Sequence, residues 1–87
     1  LGIYSEGKHT DTLTLVKKGS LGVGYKNGES YSYITYTFKN KLNNEVEIQE
    51  KNPANINHLI EGNNYNVTFE VQKGTFDYEF YIIKIEQ

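Results

Sequence analysis

Two stretches of this chain alternate apolar and polar side chains without a break. Ile34, Tyr36 and Phe38 alternate with Tyr31, Tyr33, Thr35 and Thr37; Tyr65, Val67, Phe69 and Val71 alternate with Asn66, Thr68, Glu70 and Gln72. A period of two puts successive residues on opposite faces of a strand, and no amphipathic helix has that period. Each run therefore has one face for a core and one for solvent, as in antiparallel sheets. Val46 and Ile48, set between Glu45, Glu47 and Gln49, repeat the pattern over a shorter run. The turns between runs are legible too. Asn27-Gly28 favours the two positive-φ positions of a tight hairpin, and Asn40–Asn44 is a polar turn.

The outer runs are less regular. From Leu13 to Tyr25 the odd positions are apolar except at Lys17 and Gly19. Gly19, Gly22 and Gly24 sit in this long run, where glycine marks a bulge, a bend or a close backbone approach. A strand coiled at mid-length in this way lets a small sheet close on itself. The same glycines do not make a phosphate-binding loop, because no Gly-Lys-Ser/Thr and no helix follows. The last run, Tyr78 to Ile85, is apolar on both faces, with Phe80 and Ile82 on one and Tyr81, Ile83 and Ile85 on the other.

The stretch Asn52–Gly62 reads as one short helix. Asn52 suits the N-cap, Pro53 the first turn and Gly62 the C-terminal stop. Ile56, Leu59 and Ile60 share a stripe that would dock the helix across one end of a barrel.

At 87 residues the chain is one domain. A chain this short buries only ~60–65% of its unfolded surface, so its core is thin. With no Cys, Met or Trp, eight Tyr and four Phe must supply much of the apolar area. Residues 1–10 read as a flexible tail or juxtamembrane spacer and residues 11–87 as the barrel. The chain opens on Leu1, and Leu1–Tyr4 is apolar, as the end of a leader or anchor would be. The expected location is therefore extracytoplasmic, associated with the cell envelope, with the cytoplasm as the alternative. Membrane attachment would come only through a segment outside this sequence.

The order β-β-β-α-β-β, the long glycine-bent first strand and the passage Glu61–Val71, where a glycine closes a helix and an alternating strand follows, together resemble the OB-fold. The resemblance covers roughly residues 11 to 86. It implies an all-β, five-stranded closed or partly open barrel with the helix between strands three and four. In size and composition the chain is similar to small exported OB-like domains of Gram-positive bacteria. OB-folds host many unrelated functions, so the fold alone assigns none.

No reaction is written in the residues. His9 and His58 are far apart, no cysteine is present, and no metal-ligand spacing appears. None of Ser5, Ser20, Ser30 and Ser32 lies in a nucleophile-elbow pattern. Glu45, Glu47 and Glu70 fall on strand faces that read as solvated. The expectation is a non-enzymatic domain with no cofactor and no metal. OB domains bind on the face of strands two and three. That face would carry Tyr31, Tyr33, Thr35 and Thr37, with Tyr25 near the hairpin, as candidate binding residues for an unidentified protein or small ligand. A single-stranded oligonucleotide is the alternative, with tyrosines stacking on bases and lysines along the backbone. The total absence of Arg and a net charge of −2 weigh against it. Paired Tyr and Thr are also ordinary strand residues, and lysines on a strand edge commonly prevent aggregation.

Overall fold

The computed structural model describes residues 4–53 and 59–86. It contains β1 (Gly7–Lys26), β2 (Glu29–Lys39), β3 (Glu45–Lys51), β4 (Asn64–Lys73) and β5 (Tyr78–Glu86). They close into a barrel in the order β1-β2-β3-β5-β4, with β4 returning to pair with β1. Every neighbouring pair is antiparallel except β3–β5, which is parallel and joined at Gln49 and Tyr81. This five-stranded all-β architecture is consistent with an OB-like barrel.

The inward residues are the ones the alternation marks. Ile34, Tyr36 and Phe38 of β2, Val46 and Ile48 of β3, and Tyr65, Val67, Phe69 and Val71 of β4 are buried with Leu13 and Leu15 of β1. Enclosing each large apolar side chain contributes roughly 1.5–3 kcal/mol. No polar or charged residue is fully buried among the described residues, and no buried side-chain polar atom there lacks a partner. Asn27 and Gly28 both have positive φ, which makes the β1–β2 connection a type I′ turn.

β1 starts at Gly7, inside the stretch read from sequence as a tail. Its first half pairs with β4 from Gly7 opposite Val71 to Thr14 opposite Asn64. Outward hydroxyls and amides reinforce this seam: Thr10 with Thr68, Thr12 with Asn66, and Thr14 with Asn64. Tyr4 is also tied down. Its ring meets Phe69 edge-on at 5.0 Å, and its hydroxyl donates to Asp11 at 2.7 Å. His9 lies in β1, stacked on Phe69.

The register of β1 against β2 shifts twice, between Leu15 and Lys17 and again between Lys18 and Leu21. Each shift inserts a residue and flips the parity, so Lys17 turns outward and from Leu21 the odd positions again share the sheet face of Ile34, where the hairpin runs past the core and leaves them exposed. Gly19 belongs to the second shift. A Cβ there would lie 2.6 Å from the Thr35 carbonyl oxygen, so only glycine permits the approach. β5 has a similar shift opposite Thr68 and Phe69, which returns Ile85 to the core beside Ile82 and Phe80 and leaves Ile83 outside.

The helix expected over 52–62 is overturned: the described part of that stretch contains no helix. Asn52 does not cap one. It has φ 47°, its N–H donates to the Ser32 carbonyl at 2.7 Å, and its side-chain oxygen accepts from the Ser32 N–H. It thus prolongs the β2–β3 pairing. At the other end, Leu59 and Ile60 are irregular and Glu61-Gly62 is a turn. Gly62 gives its N–H to Leu15, Ile60 gives its own to the Tyr65 hydroxyl, and Lys18 reaches the Leu59 carbonyl. Tertiary partners take the groups a helix would have used. Two turns rich in Asn have little intrinsic helicity to set against them. Residues 54–58, including Ile56 and His58, lie outside the described residues.

Candidate ligand face

The outer surface of β2, β3 and β5 holds the candidate site. Outward residues on β2 are Tyr31, Tyr33, Thr35 and Thr37, because Ile34, Tyr36 and Phe38 point in. Pairing sets Tyr33 beside Lys51, Thr35 beside Gln49 and Thr37 beside Glu47. The parallel contact then brings Tyr81 beside Gln49.

The result is one cation between two tyrosine rings, with a third tyrosine alongside. The Lys51 Nζ lies 4.3 Å from the Tyr81 ring centroid and 5.1 Å from that of Tyr31. Tyr31 and Tyr33 are 6.0 Å apart, centroid to centroid. Their rings lie over Gly24 and Gly22, whose missing side chains leave the room: a Cβ at Gly22 would be 2.8 Å from the Tyr33 ring and one at Gly24 2.7 Å from the Tyr31 ring. This explains two of the four glycines in β1 as seats for aromatic rings on the neighbouring strand. The Tyr81 hydroxyl donates to Glu79. Burial, then that hydrogen bond, then the nearby Glu79 charge, push the Tyr81 phenol well above its ordinary range. It stays protonated and available as a polar contact.

Beside this cluster the β3–β5 seam opens into a cleft of about 440 Å³. Glu47, Gln49 and Thr35 line one side, and Asp77 and Glu79 the other. The face therefore runs from aromatic rings at one end, through Thr35 and Gln49, to carboxylates at the other. At the tip of the β4–β5 turn stands Phe76, 99% exposed, next to Asp77.

Of the residues expected here, the structure brings Tyr31, Tyr33, Thr35 and Thr37 onto one surface. It does not bring Tyr25 there. Tyr25 pairs with Ser30 and shares the opposite face of the hairpin with Leu21 and Val23, 78% exposed. The two-residue Asn27-Gly28 turn sets that geometry, because it pairs Tyr25 with Ser30 on the face of Ser32 and Ile34. Lys51, Gln49, Tyr81 and Phe76 were missed. Lys51 and Tyr81 become neighbours only through the parallel β3–β5 contact, which local pattern does not specify. Phe76 had a signal: an aromatic residue inside the turn Lys73–Asp77, where nothing local buries it. Among the described residues no group of three or more His, Cys, Asp or Glu could hold a metal ion.

No family model, curated protein or solved structure matches the chain.

Proposed function

We propose that this is a non-enzymatic, OB-fold-like binding domain whose ligand sits on the outer β2–β3–β5 face, in an exported or membrane-anchored bacterial protein. The observation that carries the reading is the convergence of Tyr31 and Tyr81 on Lys51, with Tyr33 beside Tyr31, next to a cleft and a fully exposed Phe76. Aromatic side chains present large contact areas at small entropic cost and anchor many interfaces. Thr35 and Gln49 offer hydrogen bonds in the middle of the face, and the carboxylates at its far end favour a ligand with cationic or hydroxyl groups there. Among the described residues every buried side-chain polar atom has a partner.

A single-stranded oligonucleotide draws less support. Glu47, Asp77 and Glu79 line the adjoining cleft, and carboxylates repel a phosphate backbone. Amide chemical-shift mapping tests both readings. A fragment library of saccharides, amines and short peptides should perturb residues 31–37, 49–51 and 79–81 together, and Phe76→Ser should weaken those hits without altering the fold. Hits clustered elsewhere, or salt-sensitive binding of labelled single-stranded DNA or RNA in their place, would remove the proposed reading. Fractionation of the full-length product tests location: recovery in the cytosol ends the envelope assignment.

A further inference from the structure

Among the described residues, the last six residues of β1, Leu21–Lys26, have a strand neighbour on one side only. β4 pairs with β1 as far as Thr14, and the connection before β4 bonds to Leu15 through Gly62 and Asn63. Beyond that, Leu21–Lys26 pairs with β2 alone among the described residues. The two-residue type I′ turn makes Lys26 and Glu29 a hydrogen-bonded pair, so bonded pairs recur at Gly24–Tyr31 and Gly22–Tyr33. The backbone N–H and C=O of Leu21, Val23 and Tyr25 must then point away from β2, to the open side. Ser32, opposite Val23, shows the same logic: its backbone groups face away from β1 and bond to Asn52.

This open edge carries none of the usual protection. Leu21–Tyr25 holds no charge and no proline. Leu21, Val23 and Tyr25 are 60%, 64% and 78% exposed on one face, a continuous apolar row. Gly22 and Gly24 occupy the other face, already covered by Tyr33 and Tyr31.

We propose that this edge pairs antiparallel with the same edge of a second copy of the chain, about a two-fold axis at Val23. The segment is self-complementary in that register. Val23 faces Val23 of the second copy and bonds to it twice through the backbone. Leu21 faces Tyr25 of the second copy, an apolar–aromatic cross-strand pair. Gly22 faces Gly24, so no side chain obstructs the approach on the tyrosine side. Lys26 falls beside Ser20, and no like charges oppose each other. The two barrels become one continuous sheet. Because the axis stands perpendicular to that sheet, the Tyr31–Tyr33 pairs of both copies lie on its same side, doubling the aromatic surface. The contact belongs to the isologous class that closes at two copies.

Sedimentation equilibrium on the whole chain tests this. A strand-edge interface is at the small end of specific contacts, so the wild-type mass should rise from one chain toward two between about 10 µM and about 1 mM. Val23→Lys and Val23→Glu each place like charges across the axis and should each sediment as a single chain at all these concentrations. Mixed in equal amounts they should recover a dimer, because the axis then joins Lys to Glu. Circular dichroism of each variant confirms the fold. Val23→Pro is a second block, since the Val23 N–H lies outside the β1–β2 ladder. A wild type that stays monomeric throughout, variants that dimerise like the wild type, or a mixture that stays monomeric overturns the proposal.

Discussion

The Tyr36 hydroxyl donates to the Glu50 carboxylate at 2.8 Å at one end of the barrel, joining the inward row of β2 to that of β3. Burial of the ring, then this hydrogen bond, then the carboxylate charge raise the Tyr36 phenol far above its ordinary value. Tyr4 is raised by burial and by Asp11 in the same sense.

These shifts fix an alkaline limit on stability. A phenol is neutral when protonated, and the folded chain holds these protons more tightly than the unfolded chain does. Below the unfolded value of about 10 both states are protonated and the contribution is complete. Above it the unfolded chain releases protons first, and stability falls as pH rises toward the folded values. Urea midpoints should be flat just below pH ~10 and drop steadily above it. Tyr36→Phe should flatten part of that drop, and it should cost about 1 kcal/mol at neutral pH through the lost hydrogen bond. A midpoint that holds steady well into the alkaline range would show that Tyr36 and Glu50 are not coupled in solution.

The glycines of β1 separate stability from recognition. At Gly19 a new Cβ meets backbone, the Thr35 carbonyl. Gly19→Ala must therefore open the β1–β2 ladder and should cost on the order of 2 kcal/mol, within the range for backbone strain. At Gly22 and Gly24 the new Cβ meets only tyrosine ring tips, which can swing away. Gly22→Ala should change stability by less than ~1 kcal/mol, because the strand loses less entropy on folding. It should still move Tyr33, seen as changed ring proton shifts, and weaken any ligand of the outer face. Equal stability losses at Gly19 and Gly22 would contradict the different seats described for them.

How much of this was legible follows from where each contact originates. The inward rows Ile34-Tyr36-Phe38 and Tyr65-Val67-Phe69-Val71 were readable because one uninterrupted period sets both faces. The turn at Asn27-Gly28 was readable because two positive φ values need those residues. Tyr25 was misplaced although its face follows from local signals: the two bulges cancel in parity, and the two-residue Asn27-Gly28 turn pairs Tyr25 with Ser30, on the face of Ile34 and not of Tyr31. The Tyr81–Lys51 contact depends on a parallel pairing between strands far apart in sequence. The misassigned helix shares this origin, since Asn52 and Gly62 favour helix ends and positive-φ turns alike.

Asn52 offers the sharpest test of that last distinction. In the barrel its left-handed backbone and its paired bonds to Ser32 finish the β2–β3 ladder. Asn52→Gly keeps the backbone and loses only the side-chain bond, so it should cost about 1 kcal/mol. Asn52→Ala loses the same bond and adds the strain of a left-handed Cβ, another ~1–2 kcal/mol. Gly should therefore be the milder substitution by a clear margin, and hydrogen exchange at Ser32 should quicken in both variants. A helix N-cap also tolerates Gly better than Ala, but it would leave Ser32 exchange unchanged. The exchange rate at that one amide therefore decides whether Asn52 belongs to the sheet.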